Sequence, residues 1–205
     1  MPMSREAETK FRTVEKVVRL LAGFDRPWFV AGGWAIDLYL GRVTRLHGDV
    51  DVGLLRVDQD ALRLYLSGWE FKKVEAGHHE AWEEGEWLEA PVHELHARRE
   101  EGDLRHIEFL LNESSGDVWV FRRNHAVTRP LGEIHLRTPS GTPFLAPEVV
   151  LLYKAKNTTA TDELDFRNVR ASLGEKARNW LRDALEVCHP GHPWTAVLVA
   201  ALEKL

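Results

Sequence analysis

The chain has one cysteine, Cys188, so no disulfide can form within it. That scarcity fits a reducing compartment and sets the expectation of a cytoplasmic protein. No run is long and apolar enough to cross a bilayer as a helix. The N-terminal MPMSREAETK is charged and lacks the apolar core of an export signal. A basic excess is missing as well. The formal net charge is -5, which argues against a general nucleic-acid binder and leaves room for a cationic small molecule or partner. There is no internal repeat and no low-complexity tract. What is present is a hydrophobic fraction of 44% over 205 residues, enough for a core, and eight tryptophans. Most of those belong in the interior, with one or two available to stack on a ligand ring.

Periodicity divides the chain into a mixed part and a helical part. Phe11, Val14, Val17, Val18 and Leu21 share one face of a helix expected over Arg5 to Ala22, ended by Gly23. WFVAGG reads as a short buried strand entering a tight turn, and GWAIDLYL as a short helix stopped by Gly41. DVDVGLL has strand alternation. Asp58 is placed to cap a helix over about Gln59 to Ser67. WEFKKVEAG, EAPVHELHARRE and LRHIEFLLNE read as strands, the last two joined by a hairpin at EGD. After TPSGTPFLAP four helices are expected: PEVVLLYKAKN, DELDFRNVRASLG capped by Thr161, KARNWLRDALEVC and PWTAVLVAALEKL. Pro147 suits a first helical turn, and CHPGHPW reads as a turn between helices. The soft division is residues 1–140 and 141–205. The fold class expected is α+β, a mixed sheet with flanking helices followed by a helical C-terminal region.

The densest chemistry lies in GGWAIDLYLGRVTRLHGDVDV, Gly32 to Val52. Two glycines between a strand and a helix let the backbone approach an anion, and a helix start supplies free N–H groups. Asp49 and Asp51 stand at i and i+2 of a strand, so both carboxylates point to one face while Val50, Val52 and Leu54 face the core. Two adjacent carboxylates repel, and a hard cation such as Mg²⁺, shared with substrate phosphates, resolves the repulsion. The plainer reading is a turn or cap pair. A third acid would complete the site. Glu108 in RHIEFLL is the choice, with Glu94 in VHELH as the alternative; a structural pairing of Glu108 with Arg105 or Arg122 is the competing role.

This stretch resembles the signature of the antibiotic nucleotidyltransferases, in particular the gentamicin 2''-nucleotidyltransferase group, and is similar to lincosamide nucleotidyltransferases. The wider superfamily shares the DNA polymerase beta palm. HIEFLL and APEVVLLYKAKNTTATDELDF carry a looser likeness. The resemblance implies the nucleotidyltransferase fold. It implies transfer of a nucleoside monophosphate, AMP from ATP, to a hydroxyl of a small molecule such as an aminoglycoside or lincosamide, with Mg²⁺. Residue by residue, Gly32 and Gly33 would hold the triphosphate, and Asp49 and Asp51 would bind Mg²⁺. Glu108 would stand where the family often has Asp, as metal ligand, general base or both. Arg42, Thr44, Arg45 and His47 would line the site, and Lys154 would contact phosphate from the helical half.

Other features have modest expectations. Nine glutamates between Glu75 and Asp103, with Trp82 and Trp87 among them, suit a polycationic sugar or are a solvated loop and hairpin. Asp162, Glu163 and Asp165 form a helix N-terminal acidic cluster. His78 and His79 are expected on the surface. Asp37 is expected to pair with Arg42 or Arg45. A second functional class stays open, a toxin–antitoxin component acting on a protein or tRNA partner.

Overall fold

The computed structural model describes residues 11–200. The first helix, α1, covers Arg12–Leu20, so the expected start at Arg5 lies outside the described residues. β1 (Trp28–Val30) runs into α2 (Gly32–Leu40). β2 (Asp51–Leu55) is followed by a 3-10 turn and α3 (Gln59–Tyr65). β3 (Glu70–Glu75), β4 (His78–Ala81), β5 (Glu94–Arg98) and β6 (His106–Ser115) come next. β7 (Val118–Val120), β8 (Thr128–Pro130), β9 (His135–Arg137) and β10 (Pro143–Leu145) complete the strands. The helical region holds α4 (Pro147–Lys154), α5 (Ala160–Val169), α6 (Glu175–Cys188) and α7 (Pro193–Ala200). No helix among the described residues is long and apolar enough to cross a membrane.

The strands form one mixed sheet in the order β4-β3-β5-β6-β2-β1-β10-β9, with β7 and β8 branching from the end of β6. β2 pairs with β6, and β1 with β10, in parallel; β5 and β6 form the expected antiparallel hairpin. Alternation decides the layers. Val50, just before β2, and Val52 and Leu54 within it, with Ile107, Phe109 and Leu111 of β6, point into one buried core. The opposite face of the same two strands carries Asp51 and Glu108. β10 lies beyond residue 140 yet sits beside β1, so the sheet continues up to the start of α4.

Two capping expectations change. Asp58 precedes α3 but makes no side-chain cap bond; its carboxylate lies 3.9 Å from Arg26. The cap of α5 is Thr159 rather than Thr161. Its hydroxyl accepts from the Asp162 amide while Asp162 accepts from the Thr159 amide, a reciprocal capping box. Pro147 does occupy the first turn of α4, and Gly41 ends α2 in the left-handed region.

Candidate active site

The parallel ladder between β2 and β6 sets Asp51 directly opposite Glu108. Asp49 precedes β2, exposed to solvent, with its carbonyl accepting from Trp34 Nε1 at 2.8 Å. The crowding of acids shows in their proton affinities. Burial, then the charges of Asp49 and Glu94, push Asp51 up to about 6 against the opposing pull of Lys154 and a hydrogen bond with Glu108. Burial, then Asp49 and Asp51, push Glu108 up to about 7. Asp51 and Glu108 offer the hard oxygen donors that Mg²⁺ takes; the Asp49 carboxylate carries charge to both but does not converge with them into a three-ligand group within 4.8 Å.

The glycine turn is fitted to this pair. Ala31 N–H donates to the Asp51 carbonyl at 2.8 Å. Gly32 then turns with φ +58, and a Cβ there would stand 2.0 Å from Asp51 Oδ2. The start of α2 has no side-chain cap, so its first amides face the space beside Asp51. Gly33 is covered differently: a Cβ would meet Arg45 Nη2 at 1.9 Å.

The segment between the motifs is a network of polar side chains. Asp37 is fully buried, accepting from the Thr44 amide at 3.1 Å and hydroxyl at 2.5 Å and pairing with His47 Nε2 at 2.6 Å. Its expected partner, Arg42 or Arg45, is therefore replaced: Arg42 is exposed on the turn, and Arg45 reaches Asp165 through two bonds of 2.9 and 3.1 Å. A short neutral hydroxyl and an imidazole fit the space beside a buried carboxylate that a long guanidinium overshoots. His47 also stacks on Trp34 at 4.2 Å. Lys154 binds Asp162 at 2.5 Å and Asp165 at 3.1 Å. Asp165 is fully buried in the middle of α5, beyond the first-turn cluster in which the sequence reading put it.

A cavity of about 340 Å³ opens beside Gly32. Arg122, Arg123, Lys154 and Lys156 bring positive charge to it, with Phe29, Tyr153 and Asn157 among the rest of the lining. The sequence reading did not assign Arg122, Arg123 or Lys156 to the site. The dibasic FRRN after a short strand was the available signal. Arg123 Nη1 donates to the Tyr153 carbonyl at 2.6 Å, and burial lowers both guanidinium pKa values.

Glu108 pairs with neither Arg105 nor Arg122; the side chain against it is the His96 imidazole, with Nδ1 3.9 Å from Oε1. Glu94, the alternative third acid, is bonded to His96 Nε2 at 2.9 Å. Trp82 is 3% exposed, packed on Phe71 and covered by Arg63, so it belongs to the core rather than to an acceptor wall. Trp87 remains 46% exposed. CHPGHPW is the turn between α6 and α7, and His78 and His79 are exposed on β4.

Comparison with known proteins follows the same lines. Residues 13–81 match the family model described as aminoglycoside-2''-adenylyltransferase. A 2''-aminoglycoside nucleotidyltransferase of Escherichia coli is 33% identical over 72 residues, 34% of this chain and 41% of that protein. The match thus spans about two fifths of the relative's length. The lincosamide antibiotic adenylyltransferase LnuA, solved with lincomycin bound, superposes with a TM-score of 0.55 at 15% identity, covering 79% of this chain and 97% of that one. ANT(2'')-Ia in complex with adenylyl-2''-tobramycin gives a TM-score of 0.58 at 18% identity, covering 87% and 98%. The fold is that of the nucleotidyltransferases, and the likeness of the opening stretch to the antibiotic nucleotidyltransferases holds.

Proposed function

We propose that this nucleotidyltransferase-fold chain moves AMP from ATP to a hydroxyl of an aminoglycoside or lincosamide. The observation that carries the reading is Asp51 and Glu108 in register beside the uncapped start of α2, whose Gly32 lines a cavity together with Arg122, Arg123, Lys154 and Lys156. Asp49, Asp51 and Glu108 would hold Mg²⁺, which when bound supplies positive charge to the reacting phosphate. The amides after Ala31 donate to phosphate oxygens. Arg122, Arg123 and Lys156 offset charge on the departing pyrophosphate. The acceptor oxygen forms its bond to the α-phosphorus as the bond to the β-phosphate oxygen breaks. Glu108, in register beside Asp51, takes the hydroxyl proton. Arg45, Thr44 and His47 set the shape of the turn through Asp37 and Asp165, and Lys154 joins α4 to the same network. An acceptor rich in amines suits the net charge of -5.

The test is pyrophosphate release from Mg-ATP across a panel of aminoglycosides and lincosamides, with Asp51→Asn beside the native chain. Release with one antibiotic class, reduced by 100-fold or more in Asp51→Asn (about 10²–10³ for loss of one preorganised charge-stabilising group), supports the reading. Silence across the panel with Mg-ATP still bound would overturn the antibiotic acceptor and direct attention to a protein or tRNA substrate. Failure to bind Mg-ATP would overturn the reading of the site.

A further inference from the structure

Beside the acids, the same face of the sheet carries a group of different chemistry. His96 of β5 stands opposite Glu108 in the ladder, and His106 lies two residues before Glu108 on β6. One donor atom from each of His96, His106 and Glu108 falls within 4.8 Å of the other two. Asp49 and Asp51 do not belong to this set. His96 Nδ1 and His106 Nε2 are 3.1 Å apart, and His96 Nδ1 is 3.9 Å from Glu108 Oε1. Two imidazole nitrogens bound tetrahedrally to one zinc ion, each at about 2.0–2.1 Å, stand roughly 3.3 Å from each other. The spacing is therefore close to a chelate bite.

The second nitrogen of His96 supports the same assignment. Nε2 is bonded to the Glu94 carboxylate at 2.9 Å. That bond puts the His96 proton on Nε2 and leaves the Nδ1 lone pair directed toward His106 and Glu108. A carboxylate behind a ligating histidine is the arrangement that fixes tautomer and ring orientation in metal sites. His79 packs edge-on against His96, ring centroids 4.6 Å apart, and holds the ring from the other side. Imidazole donors select zinc-class ions over Mg²⁺, which takes oxygen.

We propose that His96 Nδ1, His106 Nε2 and the Glu108 carboxylate bind a divalent transition metal of the zinc class, at a site separate from Asp49 and Asp51 but sharing Glu108 with them. Three protein ligands leave a fourth position for water or a substrate atom. The site stands on its own geometry, whether or not AMP transfer is the reaction.

Cobalt is the probe, because four-coordinate Co²⁺ absorbs visibly and Mg²⁺ does not. The full chain is titrated with Co²⁺ in the presence of excess Mg²⁺, then with Zn²⁺, using native protein, His106→Gln, Glu94→Gln and Asp51→Asn. The expected result is one Co²⁺ per native chain with a four-coordinate spectrum, displaced by Zn²⁺ and not by Mg²⁺. His106→Gln should lose the spectrum, and Glu94→Gln should weaken binding by about 10–100-fold. Asp51→Asn should retain it. Circular dichroism of the metal-free variants checks the fold, and Glu94→Gln, which keeps all three ligands, decides if His106→Gln is unfolded. A six-coordinate spectrum, displacement by Mg²⁺, binding unaltered in the folded His106→Gln and Glu94→Gln variants, or loss confined to Asp51→Asn would each overturn the proposal.

Discussion

At the scale of single residues, the sharpest constraint is Gly32. Its φ of +58 is a conformation that costs an L-residue about 1–2 kcal/mol. Steric contact adds to that, because a methyl there would meet Asp51 Oδ2 at 2.0 Å. The two effects have different consequences. Backbone strain lowers stability, whereas displacing the Asp51 carboxylate alters the donor set while the sheet behind it stays intact. Gly32→Ala is therefore expected to lose at least ten-fold in kcat/KM for pyrophosphate release while its thermal melt falls only modestly. Equal losses in the two measurements would show general unfolding, and unchanged kinetics would show that the close approach has no role. Gly33 is the contrast, because a methyl there would strike Arg45 and His47, which are held by Asp165 and Asp37, and so would disturb the turn network rather than the acids.

At the scale of elements, one carboxylate joins three pieces of chain. Asp165 of α5 accepts two bonds from Arg45, in the turn after α2, and a third interaction from Lys154 at the end of α4. It is fully buried. Removing one partner from such a group leaves charge uncompensated, so Asp165→Ala is expected to cost about 3–5 kcal/mol in urea unfolding. Glu15→Ala, which breaks the exposed Arg19 pair on α1, should cost about 0.3–0.5 kcal/mol. Near-equal values would mean that the Asp165 network contributes nothing beyond a surface pair. The same network shows what the sequence made legible. α2, β2, β6 and the helices after Pro147 could be read because each repeats its period or carries a stop signal such as Gly41. β7, β8, β9 and β10 are three residues each, too short for alternation to register. The acids of the site were legible because Asp51 and Glu108 interrupt apolar strands, and Asp49 stands two residues before Asp51. Their neighbours were not: Asp165 lies 120 positions from Arg45, and His96 meets His106 only once β5 folds back on β6. Local spacing predicted which residues carry charge; the pairing of those charges is set by sheet register and helix docking.

At the scale of the whole molecule, the acidic site should make stability depend on pH and on metal together. Asp51 is raised to about 6 and Glu108 to about 7, whereas both ordinarily titrate near 4. Between about pH 4 and pH 7 the folded chain therefore holds protons that the unfolded chain has released. The contribution of these two acids to stability must fall as pH rises through that window in the absence of divalent ions, against an opposing rise from His93, His106, His135, His189 and His192, which burial makes harder to protonate in the folded chain. The loss is on the order of 2 kcal/mol for the coupled pair, discounted because Glu108 is partly open to solvent. Mg²⁺ binds the ionised form, so it should raise the melting temperature at pH 7.5 and have little effect at pH 5. Asp51→Asn removes one of the two shifted groups and relieves the repulsion on the other. Its metal-free melting temperature should fall less steeply across the window and respond weakly to Mg²⁺. Thermal melts of both proteins at pH 5, 6, 7 and 7.5, with and without Mg²⁺, measure all of this. A metal-free pH profile that is the same in Asp51→Asn as in the native protein would mean that Lys154 and the arginines of the cavity already neutralise the acids. The site would then have no electrostatic need of an ion, and the three acids would have to be reread as a salt-bridge network binding the sheet to α4.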